Sequence, residues 1–313
     1  MIDLTFGDPP NRFHPLLLMG RWLNWGRRLA PSRCRFWFGA GWTLAGTLLF
    51  ALPWQILFRP RSNERRKMKG RALRILPTSY SLLLTSLLLK PVFAYRNLRR
   101  AVISVAEALE REDLPEAQRR LRWHLVSRNT SDLSTAEVAG AAIESLAENL
   151  TDSLTAPLLA YADGGLAGAW AYRFINTADA MWGYRTPEFE QLGKFPARLD
   201  DLLNWLPARL TGWLLVLAAG LVGESAHVAA HTMLGQHHRT ASPNSGWTMS
   251  AMAGALGVTL DKRGVYQLEG GQEPLEVEAI RRAVRVADTA AALGVFVAVL
   301  VTLDLTRKRR FIL

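Results

Sequence analysis

The chain has 313 residues, 49% of them apolar and 21% charged, with a formal net charge of +11 and one cysteine, Cys34. A lone cysteine excludes a disulfide framework and a thiolate metal cluster, and apolar blocks long enough to cross a hydrocarbon core of about 30 Å are not the scatter of a soluble chain. The basic excess gathers beside those blocks, at Arg59 to Arg74 and Arg307-Lys-Arg-Arg310, as topology signals and anionic-lipid contacts do; no aromatic-interleaved basic repeat accompanies it, so no nucleic-acid partner is expected.

Residues 1–30 carry turn chemistry at Gly7-Asp-Pro-Pro-Asn11 and His14-Pro15 and are expected to pack on the protein; Asp3 and Asp8 stand where a cleavable signal needs basic and apolar residues. Four stretches are candidate membrane helices, 36–58, 75–95, 210–229 and 286–305, with Trp22, Trp25, Trp37, Trp42, Trp54, Trp205 and Trp213 in or beside them as an interfacial belt. Arginines flank the first stretch on both sides, so either it re-enters, with Pro53 as the break, or the simple count of spans is wrong. The fold expected is all-α: one polytopic integral membrane domain over 1–313, in the cell (inner) membrane, with its active site facing the cytoplasm.

Between the second and third stretches, 96–209 reads as amphipathic helices carrying polar motifs. Val102, Val105 and Leu109, then Leu114, Leu121 and Leu125, recur at helical spacing, giving two helices joined around Asp113-Leu-Pro115. Asp132 or Ser134 caps the next helix, which breaks near Pro157; Gly164-Gly165 marks a turn, and Leu166 to Tyr184 is a further helix. Residues 230–285 hold the loop Ser242-Pro-Asn-Ser-Gly-Trp247, a re-entrant or buried helix over Met249 to Val258, and a glycine-bearing loop or hairpin from Gly264 to Pro274.

The chemistry lies in that middle region. On a helix, Glu144, Glu148 and Asp152 fall on one face with Asn149 beside them, and Asn176/Asp179 and Asp201/Asn204 form pairs at i,i+3. Carboxylates on one face repel unless a cation sits among them, which points to Mg²⁺, held here by Glu148, Asp152 and Asp201, or to a polar seam paired with Arg173, Arg198 or Arg209. The mixture of Asp200, Asp201 and Asn204 with Arg198 and Arg209 joins metal-type to phosphate-type groups. Ser242, Asn244 and Ser245 belong to a loop able to approach an anion at a helix entry. Glu224, His227 and His231 share a face but read as an interfacial polar edge, and His237-His238-Arg239 as a solvated loop.

Taken in order, Gly7-Asp-Pro-Pro…His14-Pro15…Gly20-Arg21, Glu144-Ser-Leu-Ala-Glu-Asn-Leu-Thr-Asp152, Tyr172-Arg-Phe-Ile-Asn-Thr-Ala-Asp-Ala-Met-Trp-Gly-Tyr184, Arg198-Leu-Asp-Asp-Leu-Leu-Asn-Trp-Leu-Pro-Ala-Arg209 and Ser242-Pro-Asn-Ser-Gly-Trp247 closely resemble the CbiB/CobD family of cobalamin biosynthesis, the adenosylcobinamide-phosphate synthases. The resemblance implies a membrane ligase joining an aminopropanol-type amine, usually as its phosphate, to the free propionate of adenosylcobyric acid, a corrinoid, with ATP cleaved to drive amide formation. The chain departs from the family pattern in three places. Only Met1 to Phe6 precede the Gly-Asp-Pro motif, Val126-Ser-Arg-Asn-Thr130 replaces Val-Gly-Arg-Asp-Thr, and Ser153 replaces a glycine. Membrane lipid, other cobalamin-biosynthesis enzymes and further copies of the chain complete the expected partners. Two other classes compete: a Mg²⁺-dependent prenyl or alcohol phosphotransferase, whose paired aspartate-rich repeats are not duplicated here, and a transporter, for which no inverted repeat is visible.

Overall fold

A computed structural model describes residues 15–57 and 78–312, with side chains described over 15–57 and 83–304. In chain order its helices are α1 (Pro15–Leu29), α2 (Arg35–Leu57), α3 (Thr78–Leu89), α4 (Tyr95–Glu110), α5 (Leu114–His124), α6 (Thr135–Leu150), α7 (Ala156–Trp182), α8 (Lys194–Leu203), α9 (Trp205–Leu221), α10 (Ala226–Gln236), α11 (Ser245–Leu256) and α12 (Val277–Ile312). An antiparallel hairpin, β1 (Thr259–Lys262) with β2 (Tyr266–Glu269), stands between α11 and α12 and pairs Leu260 with Leu268. The hairpin thus turns at Gly264, whose φ is 70°, rather than running to Pro274. The Gly7 to His14 motif and the Arg59 to Arg74 cluster lie outside the described residues, as do the side chains of Arg307 to Arg310.

Internal contacts divide the chain into two compact units, Met1–Phe93 with Asp163–Asp200, and Ala94–Ala162 with Asp201–Leu313. In the first, α1 and α2 meet through small residues and tryptophans. The Trp22 and Trp42 rings stack 4.6 Å apart, and each indole N–H donates to the other residue's carbonyl, at 3.3 and 3.1 Å. A Cβ on Gly26 would lie 2.3 Å from the Trp42 ring, and one on Gly39 2.1 Å from the Leu192 carbonyl oxygen, so these glycines set the helix spacing, as small residues do between helices in lipid. Pro53 does not break α2, which continues to Leu57; only one turn follows it, so a single lost backbone bond is the cost.

The second unit is built around α11, every residue of which except Trp247 is buried. It is therefore a core helix, ended by Gly257 in the left-handed conformation at φ 70°. Packed on α6 and α12, α4 buries Val102, Val105 and Leu109, and α5 starts where Asp113 accepts the Glu116 N–H. Ser134 begins α6 with a reciprocal capping box to Glu137. The break expected near Pro157 does not occur. Residues Thr151–Thr155 form a π-helical turn in which the Ala156 N–H reaches the Thr151 carbonyl. The Ser153 carbonyl, which an N–H at position 157 would otherwise occupy, accepts from Ala94 N–H at 3.1 Å. Proline's missing donor is thereby accommodated. The helix kinks instead at Gly165, at φ 61° and ψ −150°.

The expected count of four spans is not confirmed. Among the described residues, α2 and the Val277–Asp304 part of α12 are long and apolar enough to cross a membrane, and the bent α8–α9 pair makes a third if it is taken as one span. The stretch 75–95 yields a twelve-residue helix, α3, followed by a 3₁₀ turn at Lys90–Val92. The stretch 210–229 is not one helix either: α9 stops at Leu221, Gly223 adopts φ 86°, Ser225 caps α10, and α10 packs back along α9.

Candidate functional site

The motif residues fall into two groups, one in each unit. In the first unit, the Arg173 guanidinium donates to Asn176 Oδ1 at 3.3 Å, and Asn176 Nδ2 donates to Asp200 Oδ1 at 3.4 Å. Asp179 sits one turn on, and a Cβ on Gly183 would fall 2.1 Å from its Oδ1, so that glycine makes room for the carboxylate. Asp200 is buried, whereas Arg198 is exposed.

The second unit brings together Asp201, Asn204, Arg209, Ser242, Asn244 and Ser245, which lie far apart in sequence. The Arg209 guanidinium is held between two indoles, 4.1 Å from the Trp205 ring and 4.8 Å from the Trp247 ring. It also donates to the Trp205 carbonyl at 2.6 Å and reaches Asn244 Oδ1 at 3.5 Å. Its partners among the described residues are thus a carbonyl, an amide oxygen and two rings rather than the neighbouring aspartate of the expected ion pair. Asn244 Nδ2 donates to the Asp201 backbone carbonyl at 2.8 Å, and the Asp201 carboxylate accepts from Ser242 Oγ and Asn244 Nδ2, both at 3.4 Å. Ser245 is buried and bonds Thr240 Oγ1 at 3.3 Å, and Asn204 is buried at the start of α9. His237, expected in a solvated loop, stacks on Trp247 at 4.1 Å; burial, then His238 and Arg209, lower its pKa. No local pattern would have revealed it.

On α6 the carboxylates do not share one environment. Glu144 is 7% exposed, Glu148 is exposed, and Asp152 is half-buried in the π-helical turn. Burial pushes the Glu144 pKa up, against the opposing charges of Arg128 and Lys262. Tyr266, from β2, is likewise pushed up by burial and then by Glu144 and Glu148, and its hydroxyl contacts Met249 Sδ at 3.6 Å. Its alternation with Leu268 after the Gly264 turn was the signal that could have found it. Asn149 is turned back onto its own helix, donating to the Ser145 carbonyl at 2.9 Å. Beside this face opens a cavity of about 320 Å³ lined by Arg128, Asn129, Asp132, Glu137, Asp261 and Arg263.

Among the described residues no group of three or more His, Cys, Asp or Glu side chains is arranged to hold a metal. His227 and His231 are exposed, and Glu224 is paired with Arg282. Four buried polar atoms of the second unit lack a hydrogen-bond partner: Glu144 Oε1, Thr151 Oγ1, Ser153 Oγ and Trp247 Nε1. Such atoms are rare in native structures, and each calls for a physical account, an ordered water, an ion or a chemical role among them. All four belong to the Glu144–Ser153 stretch or to the Ser242–Trp247 loop.

Residues 1–295 match the family model described as CobD/Cbib protein. The chain is 40% identical over 306 residues to a probable cobalamin biosynthesis protein CobD of Methanothermobacter thermautotrophicus, covering 96% of each chain. It is 35% identical to the cobalamin biosynthesis protein CobD of Dehalococcoides mccartyi, over 96% of this chain and 94% of that one. It is 36% identical to the protein of that name from Geobacter metallireducens, over 98% and 95%. No solved structure matches the chain.

Proposed function

The chain belongs to the CobD/Cbib protein family, and from that premise we propose that it is a membrane enzyme of cobalamin biosynthesis that forms an amide between the free propionate of adenosylcobyric acid and an amino-alcohol phosphate, (R)-1-amino-2-propanol phosphate or a relative such as threonine phosphate, at the expense of ATP. The observation that carries this reading is the set of orphaned buried polar atoms around Glu144 and Trp247, contributed by two stretches remote in sequence, one entering the core helix α11 and the other on α6, which packs against α11, and the turn that follows it.

Amide formation from a carboxylate in water is uphill. In the proposed route the propionate oxygen attacks the γ-phosphorus of ATP, ADP leaves, and the amine nitrogen displaces phosphate from the acyl phosphate as it loses a proton. Such a reaction asks for positioning and charge neutralisation rather than a protein nucleophile. Arg209, with its guanidinium over the rings of both Trp205 and Trp247, can present the edge of its fork to a phosphate. Glu144, whose pKa is raised by burial, suits proton transfer from the amine. Glu148 and Asp152 supply too few protein ligands for a closed cage but fit Mg²⁺, which commonly takes one or two carboxylates and completes its shell with substrate phosphate and water. Bound there, Mg²⁺ would neutralise phosphate charge.

The test is direct. Purified protein in detergent, given adenosylcobyric acid, aminopropanol phosphate and Mg-ATP, should yield adenosylcobinamide phosphate by mass spectrometry, with one ADP per amide. Absence of product with every amine offered, or product without ATP cleavage, would refute the proposed reaction.

A further inference from the structure

The cavity of about 320 Å³ beside α6 is walled by charges of both signs. Arg128, Asn129 and Asp132 come from the segment joining α5 to α6, Glu137 from the first turn of α6, and Asp261 and Arg263 from β1 and the turn after it. Part of this wall is committed to itself. The Arg263 guanidinium donates to the Glu137 carboxylate and lies 3.6 Å from Asp132, and Asn129 Oδ1 accepts the Ser131 N–H at 3.3 Å and its hydroxyl at 3.1 Å. Arg128 and Asp261 stand outside those pairs; of the carboxylates acting on Arg263, Glu137 is foremost and Asp261 last. Asp261 is carried on a fixed strand, since β1 packs on α6 and pairs with β2, and Glu269 of β2 exchanges two hydrogen bonds with Gln236 of α10, at 2.8 and 3.0 Å.

One guanidinium and one carboxylate left over in a small polar cavity suit neither a simple anion nor a simple cation. They match a small molecule that bears both charges, and the volume is at the low end of the roughly 300–1,000 Å³ usual for small-molecule sites. Glu144 adds the chemistry. It is buried with Oε1 unpartnered; burial raises its pKa most, Arg128 and Lys262 oppose the rise, and Asp261 adds to it. The cavity and this carboxyl therefore share Arg128 and Asp261 as charged neighbours.

We propose that this cavity seats the amino-alcohol phosphate, with Arg128 on its phosphate, Asp261 on its ammonium and the nitrogen directed toward Glu144 Oε1. The inference rests on the reaction proposed above for the identity of the ligand; the requirement for opposite charges at its two ends comes from the wall.

The experiment is isothermal titration calorimetry of the full chain in detergent, without ATP, with three probes: (R)-1-amino-2-propanol phosphate, (R)-1-amino-2-propanol and inorganic phosphate. Losing one charge-assisted hydrogen bond corresponds to roughly 10- to 150-fold in Kd. R128Q should weaken the phosphate ester by that factor and leave aminopropanol unchanged, which also shows that the variant is folded. D261N should weaken both amines and leave inorganic phosphate unchanged. A wild type that does not bind the ester overturns the proposal, as does wild-type affinity for the ester in either variant, or equal loss of both amines in R128Q. Steady-state kinetics separate this inference from the reaction it rests on. If the binding pattern holds but no amide forms, the reaction fails and the cavity assignment stands; if amide forms and KM for the amine phosphate is unchanged in both variants, the assignment fails and the reaction stands.

Discussion

Replacing Arg209 with lysine keeps the charge and removes the plane. The guanidinium lies 4.1 Å from the Trp205 ring and 4.8 Å from the Trp247 ring, two stacking contacts worth about 0.5–1 kcal/mol each in a half-buried setting. Lysine retains part of the cation–π attraction, so the expected loss of stability is about 1 kcal/mol, a fall of roughly 2 °C in melting temperature. The kinetic loss should be larger. A charge-assisted hydrogen bond to a phosphate is worth about 1.5–3 kcal/mol, and losing one arm of a bidentate pair corresponds to a drop of roughly 10- to 150-fold in kcat/KM. Steady-state kinetics varying ATP and the amine phosphate separately identify which phosphate is gripped, because KM should rise for one and not for the other. Trp205→Ala is the control: it removes the nearer ring but leaves the fork, so stability should fall more than kcat/KM. If Arg209→Lys has wild-type kinetics for both phosphorylated substrates, Arg209 does not bind phosphate and its role is to pin α9 against α11.

Glu148→Gln and Asp152→Asn should each lower turnover by orders of magnitude while leaving the melting temperature near wild type, since neither side chain is fully buried; full activity in both would remove the Mg²⁺ assignment. Glu144 has a folded-state pKa above its unfolded value near 4.3, so its contribution to stability is best in acid and is lost as pH rises through the raised value. Glu144→Gln should therefore melt higher than wild type at neutral pH, by a margin that shrinks on acidification; a pH-independent margin would contradict this, and kcat should fall if Glu144 takes the amine proton. Gly39→Ala would place a methyl 2.1 Å from the Leu192 carbonyl oxygen and should cost about 1–3 kcal/mol. Gly41→Ala meets nothing within 4 Å and should be neutral or stabilising in the same thermal-shift assay.

What could be read from the sequence was local chemistry. The start of α6 was legible because Ser134 and Glu137 are three residues apart and satisfy each other, and α4 and α5 because their buried residues recur at the helical period. The motif residues were legible as residue types whose charges need partners. The features that were not legible depend on distant atoms. Nothing near Pro157 announces that the Ala94 N–H takes up the Ser153 carbonyl and lets the helix continue. The apolar run 210–229 reads as one crossing, because Gly223 and Ser225 are weak signals inside it. The turn they make returns the chain to the Arg209 end, so that Arg209 and Asn244 meet at 3.5 Å instead of being separated by a membrane span. His237 and Tyr266 were missed for the same reason: Trp247 and Met249, which they touch, are ten and seventeen residues away in the chain.

The π-helical turn at Thr151–Thr155 makes the number of residues there as consequential as their identity. A chain one residue shorter in this stretch could close an ordinary α-helix, but the first turns of α7 that follow it would be rotated by about 100° about the helix axis relative to Glu144 and Glu148. The Ser153 carbonyl would swing away from the Ala94 N–H, and the start of α4 would lose the bond that ties it to this turn. Insertions and deletions, which most helix ends absorb by fraying, would here be transmitted along α7. When homologous sequences are compared across this stretch, a gap therefore marks a change of architecture rather than a neutral difference in length.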